Sequence, residues 1–244
     1  MQRPFRTISH ATLSIALVSL AAGAQEAKPK PREFTADVGF VSATGNSDVT
    51  TFNVGERLIL RSPTWEHRQQ FGSIYGSRDG EESANLLFAN WRSDRALNEW
   101  LSVFGFVGYD RNPFAGIGRR FEEAAGLAAK LVRTERDQWG VELGFALTQQ
   151  RSVDDISNSF PSLRSGTLFK HFFTETAYFS QGVEYLPSLE VSQDYRINSE
   201  TAIVAPISTH IAMKLGYSVR FDNLPELGKR KSDRILTSGL QFNW

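Results

Sequence analysis

The residues best suited to chemistry are few. Beyond the first two dozen residues the chain has three histidines, His67, His171 and His210, and it has no cysteine. A histidine beside a serine and an acid or amide would form an acyl-transfer centre, because the imidazole takes the serine proton as the hydroxyl attacks a carbonyl. His67 shares a strand face with Trp65, Gln69 and Phe71. His171 lies between Phe169 and Phe173, well inside a predicted strand, and His210 falls at a predicted short turn. No triad can be assembled from these positions, so packed or interfacial histidines are the simpler reading. Asp154-Asp155, in the longest predicted loop, would offer paired carboxylates, a pattern that solvated loop charge also produces. No metal-ligand spacing occurs, and without cysteine there is neither a disulfide framework nor a thiolate site. The sequence therefore names no catalytic residue, no metal ligand and no cofactor.

The elements that would position such groups are strands. Of the 244 residues, 41 % are apolar and 12 % aromatic, with 27 Lys+Arg against 27 Asp+Glu. Balanced charge argues against nucleic acid as a partner, and the aromatic content argues against disorder. Residues 1–24 read as a signal peptide: Arg3 and Arg6 precede the apolar stretch Ala11 to Ala22, and Ala22-Gly23-Ala24 supplies small residues for cleavage. Residues 25–33, with Lys-Pro-Lys-Pro-Arg at Lys28 to Arg32, read as a Pro-rich periplasmic tether. From residue 34 to 244 apolar and polar residues alternate with period two, clearest at 211–221 and 139–148, and turn residues interrupt the pattern at regular intervals.

This predicts twelve strands at about 34–43, 49–61, 65–77, 83–96, 99–110, 120–133, 138–150, 165–175, 178–187, 195–204, 209–221 and 232–244. Short connections alternate with longer ones such as Asn112 to Arg119, Ser152 to Arg164 and Asp222 to Lys231. Short turns at one end and longer loops at the other, with an even strand number, predict an all-β antiparallel transmembrane barrel of the outer-membrane type, with both termini on the periplasmic side. Trp65, Trp100 and Trp139 each open a strand after a short turn and Trp244 closes the last, so all four form a candidate aromatic girdle at one rim. Tyr75, Tyr109 and Phe221 fall near the other. Two strands resist the pattern. Glu56 lies on the apolar face of 49–61, and 99–110 is apolar on both faces, so the register of both stays open.

If the apolar face meets lipid, the polar face is inside. Glu142, Lys214 and Arg220 on the clean strands, joined by Arg57 and Glu184, are the candidate lumen-lining charges, accompanied by Gly140, Gly144, Gly182 and Gly216. Such residues form either a salt-bridged plug or a narrow water path. Twelve strands lie between the filled small barrels and the open large ones, so both stand equally. With both signs present, strong ion selectivity is not expected. Lys229-Arg230-Lys231, in the last long loop, would face outward, where lipopolysaccharide phosphates are one partner and solvent the simpler one.

Leu240, Phe242 and Trp244 end the chain on alternate apolar positions, resembling the C-terminal assembly signal read by the barrel-assembly machinery through strand addition. Four further stretches carry a family resemblance: Gly45-Asn46-Ser47-Asp48 before a Thr-rich strand, Tyr109-Asp110-Arg111 through Phe114-Ala115-Gly116, Asp194 to Glu200, and Tyr217 to Asn223. In this order they are similar to the salt-induced outer membrane protein family, also known as domain of unknown function 481. The resemblance covers almost the whole chain after residue 24. It implies an outer-membrane barrel linked to osmotic stress and carries over no catalytic residue. The expected protein is a monomeric barrel in the outer membrane of a Gram-negative bacterium, in contact with membrane lipid and lipopolysaccharide. Its expected role is a passive narrow channel or an envelope barrel. The alternatives are an outer-membrane hydrolase of lipid or lipopolysaccharide, and a purely structural barrel with a plugged lumen, which mutual pairing of Glu142, Lys214 and Arg220 would favour.

Overall fold

A computed structural model describes residues 30–44, 49–78 and 81–244. The predicted signal peptide and most of the predicted tether lie outside the described residues. The strands are β1 (Arg32–Thr44), β2 (Val49–Arg61), β3 (Trp65–Arg78), β4 (Glu81–Ala96), β5 (Leu101–Asn112), β6 (Ile117–Arg133), β7 (Asp137–Ser152), β8 (Ser157–Phe172), β9 (Tyr178–Pro187), β10 (Tyr195–Pro206), β11 (Ile211–Asp222) and β12 (Ser232–Asn243). Each pairs antiparallel with its neighbours in sequence, and β1 pairs with β12, closing the sheet into a barrel. Closure leaves no strand edge unpaired, which a hydrocarbon surrounding requires.

Burial runs opposite to that of a water-soluble protein. The large apolar side chains point outward, with Phe52 at 78 %, Phe145 at 68 % and Leu143 at 58 % exposed. Many of the buried apolar residues are small, among them the inward-facing Ala124, Ala146, Ala202 and Ala212. Two inner clusters form, Ala84, Leu86 and Ile235 in one, and Phe104, Ala124, Ala146 and Leu186 in the other. Space is tight where strands meet back to back. A Cβ at Gly126 would stand 2.5 Å from the Gly144 Cα, so that pair of glycines sets how closely β6 and β7 approach.

The rim where β1 begins and β12 ends, here the terminal rim, is built from one device used five times. Ser62, Asn98, Thr134, Thr174 and Ser208 each accept, through the side-chain oxygen, a hydrogen bond from the backbone N–H three residues on: Trp65 (3.2 Å), Leu101 (2.8 Å), Asp137 (2.8 Å), Ala177 (2.9 Å) and Ile211 (3.2 Å). These polar side chains mimic a turn of backbone and start the next strand in register.

Several predicted boundaries are corrected. The loop expected at Ser152 to Arg164 is a turn at 153–156, and β8 starts at Ser157 rather than 165. Asp155 takes the turn at φ 69°, and Ser157 pairs with Arg151 across the ladder. The polar run Ser157-Asn158-Ser159 is strand that hydrogen bonding alone specifies. The loop expected at Asn112 to Arg119 contracts to a 3-10 turn at Pro113–Ala115, capped by the Asn112 side chain and ended by Gly116 at φ 84°. Asp154-Asp155 therefore belongs to a tight turn rather than to the longest loop. The longest described connection is 223–231. At the other ends, β8 stops at Phe172 rather than 175, β11 starts at Ile211 rather than 209, and β1 starts at Arg32 rather than 34.

The two open registers are resolved. On β5, Phe104 is 1 % exposed and Val107 is 53 % exposed, so Ser102, Phe104, Phe106, Gly108 and Asp110 face inward. On β2, Phe52 and Val54 are exposed, and Glu56 shares their outward face. The amide of Gln69 on β3 donates to Glu56 Oε1 at 2.8 Å, so the outward carboxylate has a neutral partner on the same wall.

Candidate functional site

The interior of the barrel holds the densest chemistry, a chain of charges of alternating sign. Its members come from the inward faces of strands from β2 to β10, and the outward neighbours are uniformly apolar only for some of them. On β7, Glu142 lies between Val141 and Leu143, with Leu143 exposed to the surroundings. The Glu142 carboxylate takes a hydrogen bond from Arg92 of β4 and another from Arg164 of β8 at 3.0 Å. Arg164 also donates to Glu122 of β6 at 2.8 Å and pairs with Glu184 of β9. Arg196 of β10 donates to the other Glu122 oxygen at 3.1 Å and to Thr148 at 2.9 Å. Glu184 accepts from Asn198 at 2.8 Å. From Arg92 the chain runs to Asp94 (2.8 Å), Arg68 (2.7 Å), Glu66 (3.3 Å) and Arg61 (2.9 Å) on β4, β3 and β2.

The centre of this chain of charges is withdrawn from water. The side chains of Arg164 and Arg196 are 9 % and 7 % exposed. Arg92 and Arg164 lie over the rings of Phe104 and Phe106, at 4.1 and 4.5 Å from the ring centres. A guanidinium can stack on an aromatic face while its fork binds carboxylates in its own plane, so one arginine satisfies both kinds of neighbour. The layer is hydrogen-bonded across strands that are not neighbours in the sheet, which is only geometrically open through the lumen.

The five candidate lumen residues all face inward, and they do not form one cluster. Glu142 and Glu184 meet at Arg164. Lys214 of β11 pairs with Asp37 of β1 at 3.1 Å. Arg220 of β11 pairs with Asp110 of β5 at 2.9 Å, spanning the lumen between opposite walls. Arg57 donates to the Gln70 side-chain oxygen at 2.7 Å, in the orientation of that amide that satisfies both groups. The mutual pairing of Glu142, Lys214 and Arg220 that would favour a purely structural barrel does not occur; each has its own partner on a different strand. Toward the terminal rim the lumen opens. The inward-facing Leu168 is 46 % exposed, and inward-facing Glu200 and Lys130 are exposed too.

Sequence reasoning missed Arg92, Glu122, Arg164, Arg196, Asp37 and Asp110. Arg164 sat in a predicted loop, and Glu122 and Arg92 stand in strands whose outer faces carry Glu123 and Ser93, which blur the alternation. Asp110, between Tyr109 and Arg111, could have been found from its alternation with Gly108 and Phe106.

On the outer wall, Trp65, Trp100, Trp139 and Trp244 are 40–58 % exposed, all at the terminal rim. Trp91, which was not anticipated, is 43 % exposed on the same outer wall, five residues before β4 ends. Phe242 stacks on Trp244, and Trp244 packs against Phe34 of β1 with ring centres 5.6 Å apart. Leu240 is 40 % exposed on the same face. His67 also faces outward: its Nδ1 lies 2.8 Å from Ser93 Oγ, and its ring stacks on Trp65. His171 is the penultimate residue of β8, with Nδ1 2.8 Å from Asp137 Oδ1, and so stands at the rim rather than well inside a strand. His210 lies in the turn before β11.

Comparisons with known proteins agree with this architecture. The chain is 23 % identical over 220 residues to "Uncharacterized protein YdiY" of Escherichia coli (strain K12), covering 88 % of this chain and 84 % of that protein. Among solved structures it is similar to the NanC porin, with TM-score 0.58 at 10 % identity over 85 % of this chain and 98 % of that one. The translocator domain of the autotransporter NalP from Neisseria meningitidis gives 0.51 at 9 % identity, over 89 % and 90 % of the two chains. At these identities the likeness is one of fold, a closed barrel of the outer-membrane type. The model of the family described as "Protein of unknown function, DUF481" matches residues 36–244, nearly the whole barrel, and the chain belongs to that family.

Proposed function

We propose that this barrel is a narrow, passive outer-membrane channel whose lumen is held constricted at rest by the arginine–carboxylate layer. The observation that carries the reading is the layer itself. Arg92, Arg164 and Arg196 are each bound to acids on other strands, above a lumen that is open to water toward the terminal rim. An interior meant only to be filled could be apolar. This one is polar, paired and of both signs, which suits small solutes and weak ion selectivity. Planar-bilayer recording tests it. The wild type should give small conductance steps, and E122A/E142A, which leaves Arg164 with Glu184 alone and Arg196 without a carboxylate, should give larger ones. Absence of steps from both folded proteins overturns the channel and leaves an envelope barrel with a structural plug.

The same reading puts the protein in the outer membrane of a Gram-negative bacterium, exported by a signal peptide at 1–24, as a monomer. The outward apolar wall, the tryptophan rim and the barrel neighbours support it. Leu240, Phe242 and Trp244 then serve as the assembly signal, and the 223–231 loop with Lys229-Arg230-Lys231 faces lipopolysaccharide. A role in osmotic stress follows from the resemblance to the salt-induced family. The hydrolase alternative finds its serine, since Ser93 lies within reach of His67. The other ring contacts of His67 are Trp65 and Trp91, and neither can orient an imidazole as a general base. The channel reading is therefore preferred.

A further inference from the structure

The outer wall carries one feature that a channel does not need. An apolar groove of about 650 Å³ crosses β4 to β8. Its floor is Gly105 and Ala125, small residues in register with each other, and its walls are Trp91, Val107 and Phe145. Ser93 closes the end nearest the terminal rim, three residues before β4 stops, Glu123 lines one side midway, and Leu147 and Pro161 mark the far end. Because strands tilt in a barrel, a line of paired residues climbs the wall as it crosses them, so the groove rises from the rim toward mid-height.

The polar end has unspent hydrogen-bonding capacity. Trp91 Nε1 donates to Ser93 Oγ at 3.0 Å, and Ser93 Oγ shares one hydrogen bond with His67 Nδ1 at 2.8 Å. If the hydroxyl donates to Nδ1, the imidazole proton sits on Nε2 without a partner among the described residues. If Nδ1–H donates to the hydroxyl, the serine O–H is the one left over. Either tautomer leaves one donor on this wall available to a ligand. The ligand that completes the site must bring an acceptor. Two residues nearer the rim, Arg95 is exposed and lies over the Trp65 ring at 5.8 Å, with no ion pair among the described residues. Along one face of β4 this sets a cation at the rim, a donor roughly 7 Å deeper, and then an apolar channel.

We propose that this wall binds one glycerophospholipid of the periplasmic leaflet. Its phosphate meets Arg95, an acyl ester carbonyl accepts from the His67–Ser93 pair, and one acyl chain lies in the groove over Gly105. The order of groups on the wall, cation, donor, apolar trough, is the order of phosphate, ester and chain in the lipid. The tryptophans at this rim fix the depth, since indoles settle at the headgroup level. The site lies outside the lumen and stands whether or not the lumen conducts.

Native mass spectrometry of the full-length protein in detergent, loaded with 1-palmitoyl-2-oleoyl-phosphatidylethanolamine, tests it. The wild type should retain one lipid through detergent exchange. S93A and R95A should each weaken retention roughly five- to ten-fold, the loss of one hydrogen bond or charge-assisted contact. A Cβ at Gly105 meets nothing within 4 Å, so G105L fits the strand, fills the trough and should abolish retention. A diacylglycerol with the same chains should be held no better than the phospholipid is by R95A. Heat-dependent gel mobility verifies that each variant is folded. Equal retention by wild type, S93A, R95A and G105L would show ordinary annular lipid and overturn the site.

Discussion

Arg164 concentrates the problem of putting charge inside a barrel. Its guanidinium touches Glu122, Glu142 and Glu184 from three different strands and lies over the Phe106 ring, with the side chain 9 % exposed. Taking such groups from water is expensive, and their attraction offsets the expense only while every partner is present. Arg164→Met keeps the stem and removes the charge, leaving three carboxylates crowded together. We expect a loss of about 3–5 kcal/mol, measured by urea titration of the barrel in lipid vesicles. Arg151→Met is the contrast: its partner Asp155 sits in the 153–156 turn with 73 % of its side chain exposed, and the same titration should show no measurable change. Residue-level legibility followed the cleanness of the opposite face. Glu142 and Lys214 could be assigned inward because their neighbours are uniformly apolar. Arg164 could not, because pairing across a lumen joins strands far apart in sequence and leaves no local pattern.

At the scale of the element, the five terminal-rim turns repeat a single hydrogen bond, and their energetics should scale with its multiplicity. Asn98 Oδ1 accepts from two backbone groups, Trp100 N at 3.0 Å and Leu101 N at 2.8 Å, whereas Ser208 Oγ accepts from Ile211 N alone. Asn98→Ala should therefore destabilise by about 1 kcal/mol and Ser208→Ala by roughly half that, as both bonds are solvent-exposed. The ordering is read from the same urea midpoints, and equal effects would mean that turn closure does not depend on these side chains. Strand identity was legible because period-two alternation is imposed by lipid on one side and water on the other. Where a strand leaves the bilayer that pressure ends. Ser157 to Ser159 carry polar residues on both faces, and Asn112 to Arg119 is a Pro- and Gly-containing stretch without alternation, so only ladder hydrogen bonds reveal that β8 starts early and β5 and β6 run long.

For the whole molecule, the seam between β1 and β12 decides whether there is a barrel at all. Gly39 faces Gly239 across it, and a Cβ at Gly239 would press on the Val38 carbonyl and stand 2.6 Å from the Gly39 Cα. Gly239→Val should hold the seam open. On unheated gels the variant is expected to run at its unfolded mobility, while a valine at Gly105, with nothing within 4 Å of its Cβ, should run as the folded form. A folded Gly239→Val barrel would show that the seam can absorb the extra bulk. The cross-barrel layer adds a second closure, since Arg220 to Asp110 ties opposite walls once the seam is made.

The five serine, threonine and asparagine turns have a kinetic consequence. Eleven of the twelve strand pairings join neighbours in sequence, and only β1 with β12 spans the chain. Hairpins whose turns are preset by their own side chains form with little loop entropy to lose, so local pairing is fast. The slow event is then a single ring closure near the end of the pathway. Until it happens, the chain presents two open edges, β1 and β12, and it is during this interval that an assembly factor offering a strand edge has something to hold.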